Sequence, residues 1–332
     1  MTTNQRLEWP TLAMLALCYG LWLAVGLWLF PIAPWLALPL MAVMAGLHTS
    51  LQHEALHGHP TRNPAINEAL VALPLAVAFP YRRFKAMHLR HHNDAHLTDP
   101  YDDPESWYLD RGEHAALSPF MRRLLAVNNT LVGRLVVGPP LMAFGFWRDD
   151  LPRLVRGERG VRRAWAHHAL GLAGLFAIVW GAMGISPLVY LGVVAYGGMA
   201  LIAIRTYCEH QWKEAVDGRT VIVEHSRVLS WLFLNNNLHL VHHKLPRAPW
   251  YALPRLYRQK RAQWLAANGA YVYRSYWDIF RTHALRAKEP VVHPVLPRAP
   301  RAVDHGRAFQ PTTVAPSSGP GTHVPVAARP ER

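Results

Sequence analysis

Two long stretches of the sequence contain no charged side chain, and they constrain the fold more than any other feature. They cover residues 13–51 and 164–204. Each is about 40 residues long, roughly twice what one helix needs to cross ~30 Å of hydrocarbon. Turn-forming residues divide each stretch near its middle, at Pro31 and at Gly184. The sequence therefore predicts four transmembrane helices, arranged as two hairpins, at residues 11–30, 34–51, 165–183 and 187–204.

The positions of the basic residues predict how these helices are oriented. The chain has 35 Lys and Arg against 21 Asp and Glu, which gives a net charge of +14. Neither turn within a hairpin contains a Lys or Arg, whereas the regions between and after the hairpins contain many. By the positive-inside rule, those regions and both termini are cytoplasmic. We therefore expect an integral protein of the bacterial inner membrane, whose basic charge faces lipid headgroups or an acidic electron donor and not nucleic acid.

Residues 52–163, between the hairpins, contain two further apolar segments. The segment 66–80 is too short to span the membrane comfortably, and the segment 131–147 contains an arginine and two adjacent prolines. Both features favour chain that lies in the membrane interface or re-enters it. We therefore expect neither segment to change the topology.

The C-terminal part of the chain differs in composition from the rest. We expect a single membrane domain over residues 1–288 and a proline-rich, disordered tail over residues 289–332. The chain has two cysteines, Cys18 and Cys208. Two cysteines are too few for a disulfide framework or for a four-cysteine zinc site.

Three histidine clusters follow predicted spans or interfacial segments, all on the predicted cytoplasmic side. Their sequences are HEALHGH, HLRHH and HLVHH. Spacings of three and four residues put imidazoles on adjoining turns of one helical face, so each cluster can aim several nitrogens at one point. Imidazole is a ligand for iron, zinc, copper and nickel. Eight or nine such ligands are too many for one ion, which predicts two metal ions. The candidate ligands are His53, His57, His88, His91, His92, His239, His242 and His243, with His210 as a ninth whose surrounding sequence is less distinctive.

Polar residues close to the clusters are candidates for orienting the imidazoles. A carboxylate or amide that accepts the free ring N–H of a ligand fixes its tautomer. We expect Asp94 and Asp99 to do this after the second cluster and Asn237 before the third. Asp103 is expected at the solvated surface. Beyond the metal ligands, the sequence predicts no catalytic residue.

The order of the motifs resembles that of membrane fatty acid desaturases. HEALHG, HLRHH and NNNLHLVHHKLPRAPWYALP are similar to the three histidine boxes of that family and of related hydroxylases, over roughly residues 45–255. The resemblance implies an all-α, mushroom-shaped membrane protein with a cytoplasmic helical cap that holds two non-haem irons. It also implies dioxygen as co-substrate and electrons from a separate donor such as ferredoxin. The eight box histidines are then the iron ligands, and His210 matches an additional family ligand less firmly.

The predicted function is an oxygen-dependent oxidation of a lipid acyl chain, with fatty acid desaturation as the first choice. A hydroxylase or ketolase of a lipid, alkane or carotenoid on the same scaffold is the alternative. HEALH also fits the HExxH motif of zinc proteases, with Glu54 as the general base. A metal transporter or sensor is the non-enzymatic alternative, but it would need ionisable ligands inside the spans, where His48 is the clear example.

Overall fold

The uncharged stretches form helices in a computed structural model of the protein, which describes residues 7–94 and 96–295. Four helices of the described chain are long and apolar enough to cross a membrane, as the sequence predicts. They are α1, α2, α8 and α9 in the numbering below. In chain order the helices are α1 (Trp9–Leu29), α2 (Pro34–Leu56), α3 (Pro64–Leu70), α4 (Tyr81–His92), α5 (Arg111–Ala116), α6 (Pro119–Asn128), α7 (Leu131–Val155), α8 (Arg159–Ala182), α9 (Pro187–Thr206), α10 (Arg227–Leu232), α11 (His239–Lys244), α12 (Leu253–Gln259), α13 (Arg261–Ala267) and α14 (Tyr276–His283).

Regular structure other than these helices is sparse in the described chain. A short 3-10 turn covers Val216–Arg219. Two parallel strands of two residues each, β1 (Ile222–Val223) and β2 (Val272–Tyr273), pair with one another. The fold is therefore mostly helical, as expected.

Proline and glycine lie at the boundaries of the candidate membrane-spanning helices. Pro34 and Pro187 lie in the first turns of α2 and α9, where a missing N–H costs no intrahelical bond. Gly184 lies between α8 and α9 with φ of 68°, a left-handed conformation that favours glycine. These residues set the ends of the helices at nearly the positions that the sequence predicts.

The helices α2 and α9 approach closely because small residues face one another. A Cβ atom added to Gly198 would lie 2.8 Å from the Cβ of Ala45 and 3.1 Å from the backbone nitrogen of Gly46. Small residues at such positions allow two helix backbones to come together. Trp22 of α1 and Tyr190 of α9 are buried nearby, with ring centroids 6.3 Å apart. These contacts hold α9 against α1 and α2.

Residues 71–80, in the first segment predicted to be interfacial, form turns rather than a helix. The Tyr190 hydroxyl donates to the carbonyl of Leu75 at 3.0 Å, and His168 Nε2 donates to the carbonyl of Val77 at 2.9 Å. Side chains of α8 and α9 thus bond carbonyls that a helix would otherwise have paired. Irregular backbone is tolerated at membrane depth under this condition.

The second segment predicted to be interfacial, residues 131–147, is the first part of the longer helix α7. Arg134 is buried there, and its guanidinium carbon lies 3.8 Å from the ring centroid of Trp107. Its Nε donates to the carbonyl of Asn128 at 3.1 Å. A cation–π contact and a hydrogen bond therefore offset the burial of this charge.

A buried ion pair connects α4 to the helices around it. Arg83 of α4 lies 2.6 Å from a carboxylate oxygen of Asp150 in α7. The other oxygen of Asp150 accepts from the indole N–H of Trp165 in α8 at 2.7 Å. Because the charges are paired and hydrogen-bonded, this cluster can remain buried. It fixes the helix that carries the second histidine cluster.

The start of the predicted tail does not coincide with the end of the packed chain. The backbone N–H of Leu109 donates to the carbonyl of Val291 at 2.9 Å, and His293 donates back to Leu109 at 2.9 Å. Residues 289–295 are therefore packed against the loop before α5, because backbone pairing satisfies their polar groups. The remainder of the predicted tail, residues 296–332, lies outside the described residues.

Candidate metal centre

The nine candidate histidines meet in two adjoining groups. Within each group, one ring nitrogen from every residue lies within 4.8 Å of those of the others. The three clusters, which are far apart in sequence, are therefore in direct contact. The five-histidine group consists of His53, His57, His88, His92 and His242, and the four-histidine group consists of His91, His210, His239 and His243.

The five-histidine group is built mainly on α2 and α4. His53 lies in the last turn of α2 and His57 directly follows that helix, while His88 and His92 lie one turn apart in α4. The Nε2 atoms of His57 and His88 are 3.2 Å apart, and those of His88 and His92 are 3.0 Å apart. His242 of α11 completes the group, with its Nε2 3.1 Å from that of His92.

The four-histidine group draws on three segments. His91 comes from α4, while His239 and His243 are one turn apart in α11. His210 follows α9 on extended chain that forms an isolated bridge with Thr220. Its Nε2 lies 3.0 Å from that of His91 and 3.0 Å from that of His239. His239 and His243 are 3.2 Å apart between the same atoms.

Consecutive histidines belong to different groups. His91 and His92 divide between the two groups, and so do His242 and His243. This division follows from the rotation of about 100° between successive residues of a helix. The two groups touch where the rings of His92 and His243 stack, with centroids 4.1 Å apart.

Carboxylates accept the outer ring N–H of two histidines in α4. His88 Nδ1 donates to Glu105 at 2.8 Å, and His91 Nδ1 donates to Asp103 at 2.7 Å. Both acids come from the loop that follows α4. A proton held on Nδ1 leaves a lone pair on Nε2, the atom that faces the other imidazoles.

An amide performs the same task in the third cluster. Asn236 Oδ1 accepts from His239 Nδ1 at 3.0 Å. A carboxylate oxygen of Glu209 lies 3.6 Å from the same nitrogen and 2.7 Å from Arg205, and both of these charged residues are buried. Burial raises the pKa of Glu209, although Arg205 opposes that shift. His239 is thus held by a hydrogen bond to a neutral acceptor, with the buried pair of Arg205 and Glu209 beside it.

The surroundings keep most of the imidazoles uncharged. Burial, together with neighbouring imidazoles, lowers the pKa of His92 to about 2. The same causes hold the pKa well below its ordinary value for five other histidines outside the candidate spans. These are His57, His210, His239, His242 and His243. Neutral imidazole is the form that binds a metal.

His91 is the exception, and its partners explain why. Burial would lower its pKa, but Glu105 and Asp103 outweigh that effect and raise the pKa to about 9. In turn, the nearby imidazoles hold the pKa of Glu105 below its ordinary range despite its desolvation. Carboxylates that favour a proton on His91 also favour a metal cation at the same position.

The nitrogen positions fit a pair of bound metal ions. Nitrogens that bind one ion at about 2.1 Å and at right angles to one another are about 3.0 Å apart, and the Nε2 contacts within the groups measure 3.0–3.2 Å. His53 Nε2 is buried and has no hydrogen-bond partner among the described residues. Uncharged lone pairs that face one another would be stabilised by a cation between them. The donor set suits iron, zinc, copper or nickel.

The residues expected to orient the imidazoles make other contacts instead. Asp94 and Asp99 accept from backbone N–H groups of their own loop. Asn237 donates to a backbone carbonyl of β1 at 2.6 Å. Asp103, expected at the surface, is buried and bonds His91. The expectations for the three acids were wrong because the loop after α4 folds back over that helix, which the sequence alone does not reveal. The expectation for Asn237 was wrong because its side chain bonds β1.

The sequence analysis also missed two acceptors. Asn236 lies three residues before His239, a helical spacing that favours it over Asn237. That signal was available in the sequence. Glu105 lies in a loop without periodicity, 17 residues after its partner His88. No sequence pattern identifies it.

A cavity of about 470 Å³ lies between α3, the turns that follow it and α8. Gln52, which lines it, directly precedes His53. Arg82 forms a polar cluster in the wall, with its Nε 2.5 Å from Glu68 and its Nη1 3.4 Å from His167. The rest of the lining is mainly apolar or small and includes Ala69, Leu70, Ala72, Leu73, Leu170, Gly171 and Gly174.

The HEALH motif does not have the surroundings of a protease site. Glu54 is buried, and its carboxylate accepts from the backbone N–H of Trp250 at 3.2 Å. His53 and His57 share their group with three further imidazoles. A catalytic zinc site in proteases typically has three protein ligands and a water. The geometry thus favours the larger histidine centre.

The sequence model of the fatty acid desaturase family matches residues 30–275, which is more than half of the chain and includes all nine histidines. No curated protein sequence matches the chain.

Proposed function

The chain belongs to the fatty acid desaturase family, and on that premise we propose that it is a membrane oxidoreductase that introduces a double bond into the acyl chain of a lipid. The family is known for a histidine-ligated metal centre and implies a lipid substrate and association with a membrane. The observation that carries the proposal is the convergence of nine imidazoles into two adjoining groups.

We propose that the two groups hold two iron ions, with the five-histidine group binding one and the four-histidine group the other. When bound, iron would supply the redox chemistry for dioxygen activation, which acid and base side chains cannot provide. Two hydrogens leave the acyl chain, and two electrons and two protons come from an external donor and solvent. Dioxygen is then reduced to two water molecules. A separate protein of the ferredoxin class is the donor we propose.

The residues around the imidazoles supply orientation and charge. Asp103, Glu105 and Asn236 hold the Nδ1 protons of their partners, so that Nε2 is available on the inner side. The cavity beside α3 and α8 would accept the acyl chain, because its lining is mainly apolar and includes Gln52, the residue before His53. The Arg82 cluster would face the polar end of the substrate.

We propose that the histidine groups and both termini face the cytoplasm of a bacterial cell. The supporting observation is that the short turns between the candidate spans, residues 30–33 and 183–186, contain no Lys or Arg. Labelling of a single engineered cysteine at Ser118 with an impermeant thiol reagent tests this orientation. Labelling in intact spheroplasts would contradict it, whereas labelling only after lysis is expected.

Metal analysis and lipid analysis test the function. The purified protein should contain about two irons per chain, and expressing cells should contain a lipid lighter than its precursor by two hydrogen atoms. A product heavier by one oxygen atom would identify a hydroxylase. One zinc and no iron would instead support the protease. His225→Ala is a control variant, because His225 is exposed and lies outside both groups. Its iron content and its lipid product should equal those of the wild type.

A further inference from the structure

His210 differs from the other eight histidines in its support. The others lie in α2, α4 or α11, or directly after α2, whereas His210 lies on extended chain after α9. Two backbone hydrogen bonds flank it, from Gln211 to the carbonyl of Arg219 and from Val221 to the carbonyl of Glu209, both at 3.0 Å, and together they form the isolated bridge to Thr220. Local helical structure therefore does not fix this imidazole. Its position requires contacts from another segment.

Two consecutive residues near the C-terminal end of the described chain make those contacts. Lys288 Nζ donates to the carbonyl of His210 at 2.6 Å. Glu289 Oε1 accepts from the backbone N–H of Trp212 at 3.1 Å and from the hydroxyl of Tyr108. The backbone is thus held at His210 itself and two residues later.

The segment that carries these residues is anchored on both sides. The backbone N–H of Lys288 donates to the carbonyl of Asn129 at 3.0 Å, and Asn129 Nδ2 donates to the carbonyl of Glu289 at 2.9 Å. Farther along, Val291 and His293 pair with the backbone of Leu109. We call residues 284–295 the strap, because they cross from the end of α14 to the loop before α5.

Lys288 is an unusual residue for a purely structural contact. Its side chain is 8% exposed, and its ammonium lies 3.1 Å from the Glu289 carboxylate. A buried ammonium is costly unless it is paired and hydrogen-bonded. The ion pair with Glu289 also orients the Lys288 ammonium toward the backbone carbonyl of His210. A charge-assisted bond of this kind is roughly twice as strong as a neutral one.

We propose that Lys288 and Glu289 are positioning residues for the metal centre, and that the strap keeps the His210 imidazole in the four-histidine group. The inference rests on the proposed function, since it takes His210 to be a metal ligand. The strap lies beyond residues 30–275, the part of the chain that matches the family.

The test compares Lys288→Met and Lys288→Arg in the full-length, detergent-purified protein, with Lys260→Met as a matched control at an exposed lysine. The measurements are iron content and the Mössbauer spectrum of iron-loaded protein. Lys288→Met should weaken iron binding at one of two sites by roughly 10- to 100-fold, the range for residues that orient a ligand. Lys288→Arg should recover part of that loss, because it keeps a cationic donor.

Each alternative outcome is distinguishable. Wild-type iron content and an unchanged spectrum in Lys288→Met would overturn the inference, and so would an equal loss from both sites, which indicates general destabilisation. If Lys288→Met does not fold, Glu289→Gln replaces it in the test. Glu289→Gln should also weaken iron binding at one of the two sites, but by less. An unchanged Mössbauer spectrum in that variant would overturn the inference. Absence of iron from the wild-type protein would overturn the proposed function and this inference with it.

Discussion

The five-histidine group and the four-histidine group use the same kind of ligand on different supports. The first takes His53 from α2, which is 23 residues long, His57 from the position directly after it, and His88 and His92 from α4. The second takes two members from α11, a helix of six residues, and one from extended chain at His210. One group is held mainly by helices that are regular in themselves. The other depends on residues distant in sequence.

This difference indicates which of the two groups would lose its metal more easily. A ligand in a long helix is oriented by many backbone hydrogen bonds, so the loss of one neighbour changes little. A ligand on an extended segment has few, so each outside contact matters more. We therefore expect the four-histidine group to bind its metal less tightly and to lose it first. The predictions below follow in order of expected size.

Removal of one ligand should have the largest effect. His91→Ala should abolish oxidation and remove about one iron per chain, because it leaves three imidazoles in its group. His242→Ala should also abolish oxidation but retain more iron, because four imidazoles remain. Iron content of purified protein and lipid products of expressing cells are the measurements. Equal iron content in the two variants would contradict the expected difference in metal affinity between the two groups. Full activity in either variant would contradict the assignment of ligands.

Substitution of the carboxylates should have a smaller effect. Asp103→Asn should weaken the site that contains His91, and Glu105→Gln the site that contains His88, each by roughly 10- to 100-fold in metal affinity. Titration with a competing chelator measures both affinities. Asp99→Asn is the control, since Asp99 lies in the same loop and bonds backbone N–H groups. If Asp103→Asn lowers the metal affinity of both sites equally, the carboxylates do not orient the ligands of each group independently.

Loss of the amide acceptor should have the smallest effect. Asn236→Ala removes one neutral hydrogen bond to His239, worth about 1 kcal/mol, which corresponds to about a fivefold loss of affinity. The same chelator titration measures it. Asn236→Asp keeps an acceptor and should bind at least as tightly as the wild type. A larger loss in Asn236→Asp than in Asn236→Ala would show that His239 does not donate to residue 236.

Much of the fold could be predicted because its determinants are local or periodic. The absence of charge over residues 13–51 and 164–204 is sufficient to locate four candidate spans within six residues of their observed ends. Histidine spacing likewise indicates which imidazoles share a helical face. The observed division of His91 from His92 follows from helical geometry alone.

The remainder depends on tertiary contacts that leave no periodic signal. Asp103 and Asp99 occupy the same acidic loop, and only the path of the loop decides which one reaches an imidazole. Lys288 was expected to end the domain and Glu289 to begin a disordered tail, yet both contact the chain around His210. A pairing between residues about 80 positions apart cannot be inferred from either segment by itself.

The wall of turns at residues 71–80 has a consequence for how such enzymes diversify. It borders the cavity at Ala72, Leu73 and Pro74, and it is joined to the neighbouring helices by bonds from Tyr190 and His168 to backbone carbonyls. Such bonds do not depend on which side chains the wall carries. Substitutions there can therefore change the shape of the cavity while these backbone bonds remain.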